Sequence, residues 1–476
     1  MSEVSSASGV PTSSGTLSDA DPRLALIEAR MSMSQKVGVG TTLLITATDG
    51  FDILAAAFAA PSIMVEWNIP HATIGLILAA NLIGLGLGAL LISPLADRVG
   101  RRLTIIPCLL LVAASMFLAA FARNASELAM LRLVAGLGIG GMVGATLSLA
   151  TEYANRRNQP LTAAVMSIGL PLGGLAGGIA AAWLLTDYDW RAIFIAGGAI
   201  TLAVTAIATA LLPESVDFLI NTRDERRLGA LNDVLRRFGQ PTLSKLPSVV
   251  EPVPSNPAHA QGRRRSRIFC PDLRATTIAM TIINFAMMMT IFYFVSWLPQ
   301  LVADMKFTGA QAAGVSIYQN LFGIVGAMTV GVLARHLPIV PLVTAAMIGT
   351  AVTIIVFSLM PADLTLLKVA AAAEGFMALG CSAGIYALMA RSFPAAARST
   401  GIGFAYAFGR LGSIIAAAVP GVLFTSGWSS PGVATLMAFG TAVAVVTVLL
   451  WTARNRISAA PETETGAPGG TPSLQP

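Results

Sequence analysis

Twelve stretches of this chain are each about as long as an α-helix must be to cross a bilayer, and that feature limits the fold before any single residue is weighed. The runs lie near residues 38–64, 73–96, 103–122, 128–150, 161–185 and 191–212, and, after a polar gap, near 274–302, 312–334, 339–360, 364–390, 400–425 and 432–452. A helix rises about 1.5 Å per residue, so about 20 apolar residues cover the ~30 Å hydrocarbon core. A composition of 55% apolar and 11% charged residues over 476 positions is foreign to soluble domains of this size. The expected fold class is an all-α membrane protein with twelve transmembrane helices in two six-helix bundles, related as repeats around a central pathway.

The boundaries follow from the same pattern. Residues 1–36 are polar and read as a disordered tail, 37–212 as the first bundle, 213–273 as a central loop, 274–453 as the second bundle and 454–476 as a disordered C-terminal tail. The N-terminal segment has no short apolar core followed by a cleavage site, so the first span is expected to act as the insertion signal. In the central loop, Leu228, Leu231, Leu235 and Phe238 recur at helical spacing among arginines, which predicts an amphipathic helix on the inner membrane surface. Pro252, Pro254 and Pro257 then lead to a basic run, 263–267, a linker ending in an inner-leaflet anchor.

Twelve spans put both termini on one side. Of the 30 Lys and Arg, all but Arg123, Arg132, Arg191, Lys306, Lys368 and Arg410 fall in or beside segments on that side. The positive-inside rule makes it the cytoplasmic side of a cell inner (plasma) membrane. Scattering of the basic residues among short loops also accounts for a pI near 9.5 without nucleic acid. Cys108, Cys270 and Cys381 are odd in number and far apart, giving neither a disulfide framework nor a metal cluster. With only three His and no Walker-type loop, no enzyme, cofactor or ATP requirement is expected.

Charges inside the spans are the informative exceptions. A charge at the bilayer centre costs roughly 2.5–3.5 kcal/mol on insertion scales, so it needs a partner or a pathway. Asp49 and Asp52 sit mid-way along the first run, three residues apart and so on one helical face. Two close acids in a dry site resist ionising together, which makes the pair a candidate proton-coupling site, the alternative being a paired structural carboxylate. Arg132 lies about one turn inside span four, either snorkelling or facing the interior. Arg410 lies about ten residues into span eleven, roughly 15 Å of helix rise, near the midplane. It can pair with a protein acid or receive a substrate carboxylate. Glu374 in span ten is a candidate partner for it or a further protonatable site, and Lys368 in the same span can reach the far interface. The glycines from Gly136 to Gly144 in span four and Gly173 to Gly178 in span five read as close helix packing.

Between spans two and three the chain reads Ser93-Pro94-Leu95-Ala96-Asp97-Arg98-Val99-Gly100-Arg101-Arg102. This resembles the loop signature of the major facilitator superfamily, Gly-x-Leu-Ala-Asp-Arg-x-Gly-Arg-Arg, with Ser93 at the usual first glycine. Such a turn can make charge-assisted contacts with helix ends that form in one gate state and break in another. Asp97, Arg98, Gly100, Arg101 and Arg102, together with Glu152 ending span four and Arg398 before span eleven, are therefore gating candidates. The equivalent stretch in the second half, 331–336, lacks the acid.

Asp49-Gly50-Phe51-Asp52, Leu212-Pro213-Glu214-Ser215, Trp297-Leu298-Pro299 and the run from Phe393-Pro394 through Arg398 to Arg410-Leu411-Gly412 are similar to the aromatic acid:H+ symporter family of that superfamily. One departure is Ala418 and Val419 before Pro420, where the family usually has Gly-Pro. The resemblance implies a monomeric carrier importing a small aromatic carboxylate, such as a hydroxybenzoate, benzoate or gentisate, with protons. Asp49, Asp52 and Arg132 are the proton-coupling candidates it supports, and Glu374, unusual for that family, is added to them as a further protonatable site. An aromatic substrate calls for aromatic walls. Arg410 with Tyr293, Trp297, Tyr386, Phe404 and Tyr406 are the substrate candidates, and Phe285, Phe292 and Phe408 are further aromatics nearby in sequence. A symporter of another organic anion, a drug/H+ antiporter of the same superfamily and a transporter-like receptor remain the alternatives.

Overall fold

The computed structural model describes residues 22–222, 225–246, 268–271, 273–394 and 397–458. The proline-rich linker, the basic run after it and the C-terminal tail from 459 lie outside these residues. Sixteen α-helices are present among them and no strand. A short α1 (Pro22–Glu28) precedes α2 (Met33–Trp67), α3 (His71–Leu91), the one-turn α4 (Ala96–Val99), α5 (Arg101–Ala119), α6 (Ala125–Tyr153), α7 (Gln159–Asp187) and α8 (Arg191–Leu211). Then come α9 (Val216–Asn221) and α10 (Leu228–Arg237), followed by α11 (Arg274–Asp304), α12 (Gly309–Leu333), α13 (Ile339–Leu359), α14 (Leu364–Ser392), α15 (Arg398–Thr425) and α16 (Ser430–Ser458). Twelve of these are long and apolar enough to cross a membrane.

Local sequence explains where the spans start. Ser32 and Gln35 form a reciprocal capping box at α2, and Thr308 and Gln311 form another at α12. Asn124 caps α6, and Asp363 accepts from the backbone of Thr365 and Leu366 at α14. Helix α2 therefore begins four residues before the expected position 37, and α1 occupies part of the expected disordered tail.

The two halves repeat one packing scheme. In the first, α2 packs on α7 and α8, α3 on α6, and α5 on α6 and α8; in the second, α11 packs on α15 and α16, α12 on α14, and α13 on α14 and α16. A Cβ at Gly136 or Gly140 of α6 would strike backbone of α3, and one at Gly375 of α14 would strike the carbonyl of Gln319 in α12. Glycine is needed there because the backbones themselves touch. The bundles meet along α3 with α15, α7 with α12 and α2 with α11.

On the side away from the termini, His71 Nε2 lies 3.2 Å from Asp304 Oδ2, and the Ala72 N–H donates to Thr425 Oγ1 at 2.9 Å. Both contacts bridge the bundles. Behind them, the Trp297 ring lies 6.3 Å from that of His71 and 5.4 Å from that of Phe424. The far side is therefore closed by polar contacts with an aromatic layer beneath.

The amphipathic helix in the central loop is present as α10, but its apolar face is covered by protein. Leu231, Val234 and Leu235 are buried, and Phe238 packs edge-on against Tyr153 with ring centroids 5.5 Å apart. Burying that face against the end of α6 removes it from lipid.

Candidate functional site

Three clusters gather most of the charged residues that the sequence singles out. The first is in the N-terminal bundle. Asp52 on α2 and Arg132 on α6 are both fully buried, and Arg132 Nη1 donates to Asp52 Oδ1 at 3.0 Å. The same guanidinium stacks over Phe194 of α8, 4.9 Å from the ring centre. An Arg in this position is not snorkelling; its charge is answered by an acid and its planar face by an aromatic ring. Asp49, one turn earlier on α2 and 2% exposed, has no hydrogen-bond partner on Oδ1 and no ion pair among the described residues. One acid of the pair is thus matched and the other is not.

The second cluster is in the C-terminal bundle. Arg410 on α15 is half-buried and makes no ion pair among the described residues. Its Nη2 donates to the Tyr406 hydroxyl at 2.6 Å, and its guanidinium lies 4.9 Å from the centre of that ring and 5.9 Å from Phe292 of α11. Tyr386 of α14 lies beside Tyr406, with centroids 6.0 Å apart. A cation with free edges, flanked by aromatic faces and phenolic hydroxyls, matches what a planar aromatic anion needs: a fork for the carboxylate and surfaces for the ring.

The remaining candidates are placed apart from this cluster. Phe404 packs against Phe408 and Phe269 on the terminus side of Arg410. Trp297 is fully buried and donates to the Ala417 carbonyl at 3.1 Å, within the closed far-side layer. Tyr293 is fully buried, and its hydroxyl has no partner. Glu374 does not reach Arg410. Its Oε2 accepts from Gln319 Nε2 at 2.9 Å where α14 crosses α12. Lys368 lies 5.6 Å from the ring centre of Tyr318.

The third cluster is the loop between α3 and α5. Gly100 has φ +122°, a conformation L side chains rarely adopt, and a Cβ there would meet the carboxylate of Glu214. That carboxylate accepts from the backbone N–H groups of Arg101 at 2.9 Å and Arg102 at 3.1 Å, so Glu214 caps α5 from the end of α8. Arg101 pairs with Glu152, which also accepts from the Ser215 hydroxyl at 2.5 Å, and Arg102 donates to the Thr209 carbonyl at 2.6 Å. Asp97 and Arg98 line an adjoining cavity of about 350 Å³ with Arg101, Glu152 and Asp217. In sequence Glu214 stands only as part of the Leu212-Pro213-Glu214-Ser215 piece closing span six, and nothing in that piece marks it as a cap for α5. Arg398, at the start of α15, is exposed. In the second half, the place of the Glu152 pair is taken by Arg391, which donates to the Ala334 carbonyl at 2.7 Å.

Among the described residues no group of His, Cys, Asp or Glu could hold a metal ion. Cys108 and Cys381 are buried and unpaired.

Comparison with known proteins adds to this geometry. Residues 42–373 match the family model of the Major Facilitator Superfamily. The chain is similar to a gallate transporter of Pseudomonas putida, 32% identical over 85% of this chain and 89% of the relative. It is similar to a 4-hydroxybenzoate transporter of the same organism, 30% identical over 86% of this chain and 90% of the relative. A benzoate transport protein of Acinetobacter baylyi is 24% identical over 80% of this chain and 82% of the relative.

Proposed function

The chain belongs to the major facilitator superfamily, a family of transporters and not of enzymes, and on that premise we propose that it imports a small aromatic carboxylate together with protons by alternating access. The observation that carries the reading is Arg410: a half-buried guanidinium deep in a span, bonded to Tyr406, flanked by Phe292 and Tyr386, and without an acid of its own among the described residues. Relatives whose names specify gallate, 4-hydroxybenzoate and benzoate support the substrate class, since each is a ring bearing one carboxylate.

In this reading the substrate carboxylate takes the open edge of Arg410, and the aromatic side chains take the ring. Proton coupling falls to the other bundle. Asp52 is neutralised by Arg132, which leaves Asp49 as the acid whose charge changes during the cycle. An unmatched carboxylate in a desolvated helix core is costly as an anion, and a bound proton removes that cost. A proton on Asp49 also lowers the negative charge that an incoming anion meets. Loading of the proton therefore precedes or accompanies tight substrate binding.

The positive-inside pattern assigns the terminus side to the cytoplasm, so the closed face bearing His71 and Asp304 is the outer one. Arg101, Glu152 and Glu214 brace the cytoplasmic end of the first bundle, so that it can move as one body against the second.

The test is uptake of labelled 4-hydroxybenzoate, gallate and benzoate by cells lacking their own carriers, with and without a protonophore. Accumulation of at least one acid above the medium concentration, lost on protonophore addition, is the expected result. Uptake that is absent for every acid, or indifferent to the protonophore, would contradict the reading.

A further inference from the structure

A basic cleft lies where α1 meets the loop between α6 and α7. The loop is fastened to the α1 segment by three hydrogen bonds. The Arg156 N–H donates to the Ile27 carbonyl at 3.0 Å, Asn155 Nδ2 to the Ala29 carbonyl at 2.9 Å, and Asn158 Nδ2 to Met31 Sδ at 3.3 Å. Between these elements lies an open cleft of about 850 Å³. Four cations line it, Arg30, Lys36, Arg156 and Arg157, against one acid, Glu28.

The positive-inside rule accounts for basic residues on this side, but not for four of them converging on one cleft without ion-pair partners among the described residues. Neighbouring cations of the same bundle are answered: Arg101 by Glu152, Arg102 by the Thr209 carbonyl, and Arg23 by Asp217 at 4.0 Å. Arg30, Lys36, Arg156 and Arg157 are exposed and make no ion pair among the described residues. The cleft also adjoins the start of the 29-residue α7, which has no side-chain cap, so the positive end of its dipole adds to the same field.

From this convergence of charge we infer that the cleft binds a phosphate-bearing anion, the headgroup of an anionic phospholipid of the leaflet on the terminus side. Its surroundings favour a lipid over free phosphate. Met33 is 74% exposed and Leu161 63% exposed, and these apolar side chains follow directly on the α1 segment and the basic loop, giving acyl chains a surface beside the headgroup. Lys36 belongs to α2, so a bound headgroup ties α1 and the basic loop to the span that carries Asp49 and Asp52.

The experiment uses the full-length protein purified in detergent and delipidated. Bound phosphatidylglycerol is counted by native mass spectrometry, and the unfolding temperature is followed with added phosphatidylglycerol, phosphatidylcholine or inorganic phosphate. The wild type should bind added phosphatidylglycerol and be stabilised by it, but not by phosphatidylcholine or phosphate. The double variant Arg156→Gln/Arg157→Gln should bind it about thirtyfold more weakly, as expected for the loss of two surface cations. Arg156→Lys/Arg157→Lys, which keeps the charge, should bind as the wild type does. Equal binding by the wild type and the glutamine variant would overturn the site. Stabilisation by inorganic phosphate equal to that by phosphatidylglycerol would overturn the lipid assignment.

Discussion

Arg132 and Arg410 are both guanidiniums held deep in membrane-spanning helices, and the two bundles treat them in opposite ways. In the first bundle the charge is sealed: Arg132 is fully buried, bonded to Asp52 and covered by Phe194. In the second it is left open: Arg410 is half-buried, bonded to a tyrosine hydroxyl and bordered by rings. The halves share one packing scheme, but Arg132 lies on α6, whose counterpart is α14, and Arg410 on α15, the counterpart of α7, so the two cations occupy different places in the repeat. A buried pair of this kind holds its geometry because removing either partner strands a charge. An open cation has the reverse property, since its favourable partner has yet to arrive. Repeated architecture thus lets one half keep a fixed ion pair beside a lone acid while the other half keeps a receptor.

The largest expected effect is on coupling. Asp49→Asn keeps the shape of the side chain and removes its charge change, so accumulation driven by a proton gradient should be abolished while exchange of labelled for unlabelled substrate persists. Vesicle uptake with an imposed gradient checks this. If Asp49→Asn still concentrates substrate, proton coupling does not reside in the first bundle.

Next comes stability, where the two arginines should part company. Arg132→Gln leaves Asp52 stranded and should cost about 3–5 kcal/mol. Most of that loss should be recovered in Arg132→Gln/Asp52→Asn, because the stranded charge is gone. Arg410→Gln should cost about 1 kcal/mol or less, since nothing charged is left behind. Thermal unfolding of the four purified proteins compares them directly. Equal destabilisation by the two single variants would erase the contrast between a sealed and an open cation.

A smaller effect is expected at Tyr406. Tyr406→Phe keeps the ring and removes the hydroxyl that holds Arg410 Nη2, which should weaken substrate affinity by about threefold to tenfold, in line with about one hydrogen bond. Unchanged affinity would mean that the hydroxyl does not position the guanidinium. Smallest of all is Arg391→Ala in the second-half loop, where one bond to the Ala334 carbonyl is lost. Its effect on the transport rate should fall well below that of Glu152→Ala, which breaks the bond from Ser215 as well as the pair with Arg101.

What could be read from sequence, and what could not, divides by range. Span number and repeat were legible because twenty-residue apolar runs are a local property. Tyr406 and Arg410 are legible as neighbours, four residues apart on one helix. Asp52 and Arg132 were each identifiable as charges needing an answer, but 80 positions separate them, and only the packing of α2 on α6 joins them. The same limit hid the cap that Glu214 places on α5, because a carboxylate after span six carries no mark of the backbone it will meet. Residue type alone puts Tyr293 and Trp297 with the substrate wall. Burial among neighbours, which residue type does not encode, places Trp297 in the far-side seal instead. Segment α1 was hidden for another reason: seven residues are too few to announce a helix, and its stability comes from docking.

In the proposed mechanism the first bundle's lone acid handles the proton while Arg410 receives the carboxylate. Equilibrium binding of 4-hydroxybenzoate to purified protein, measured across the neutral pH range for wild type, Asp49→Asn and Arg410→Lys, tests both parts at once. Wild-type affinity should rise as pH falls. Binding should be tight with little pH dependence in Asp49→Asn, where the charge is permanently absent. In Arg410→Lys, which keeps the charge but loses the forked geometry, binding should be at least tenfold weaker at every pH. Wild-type affinity in Arg410→Lys, or an undiminished pH dependence in Asp49→Asn, would contradict the mechanism.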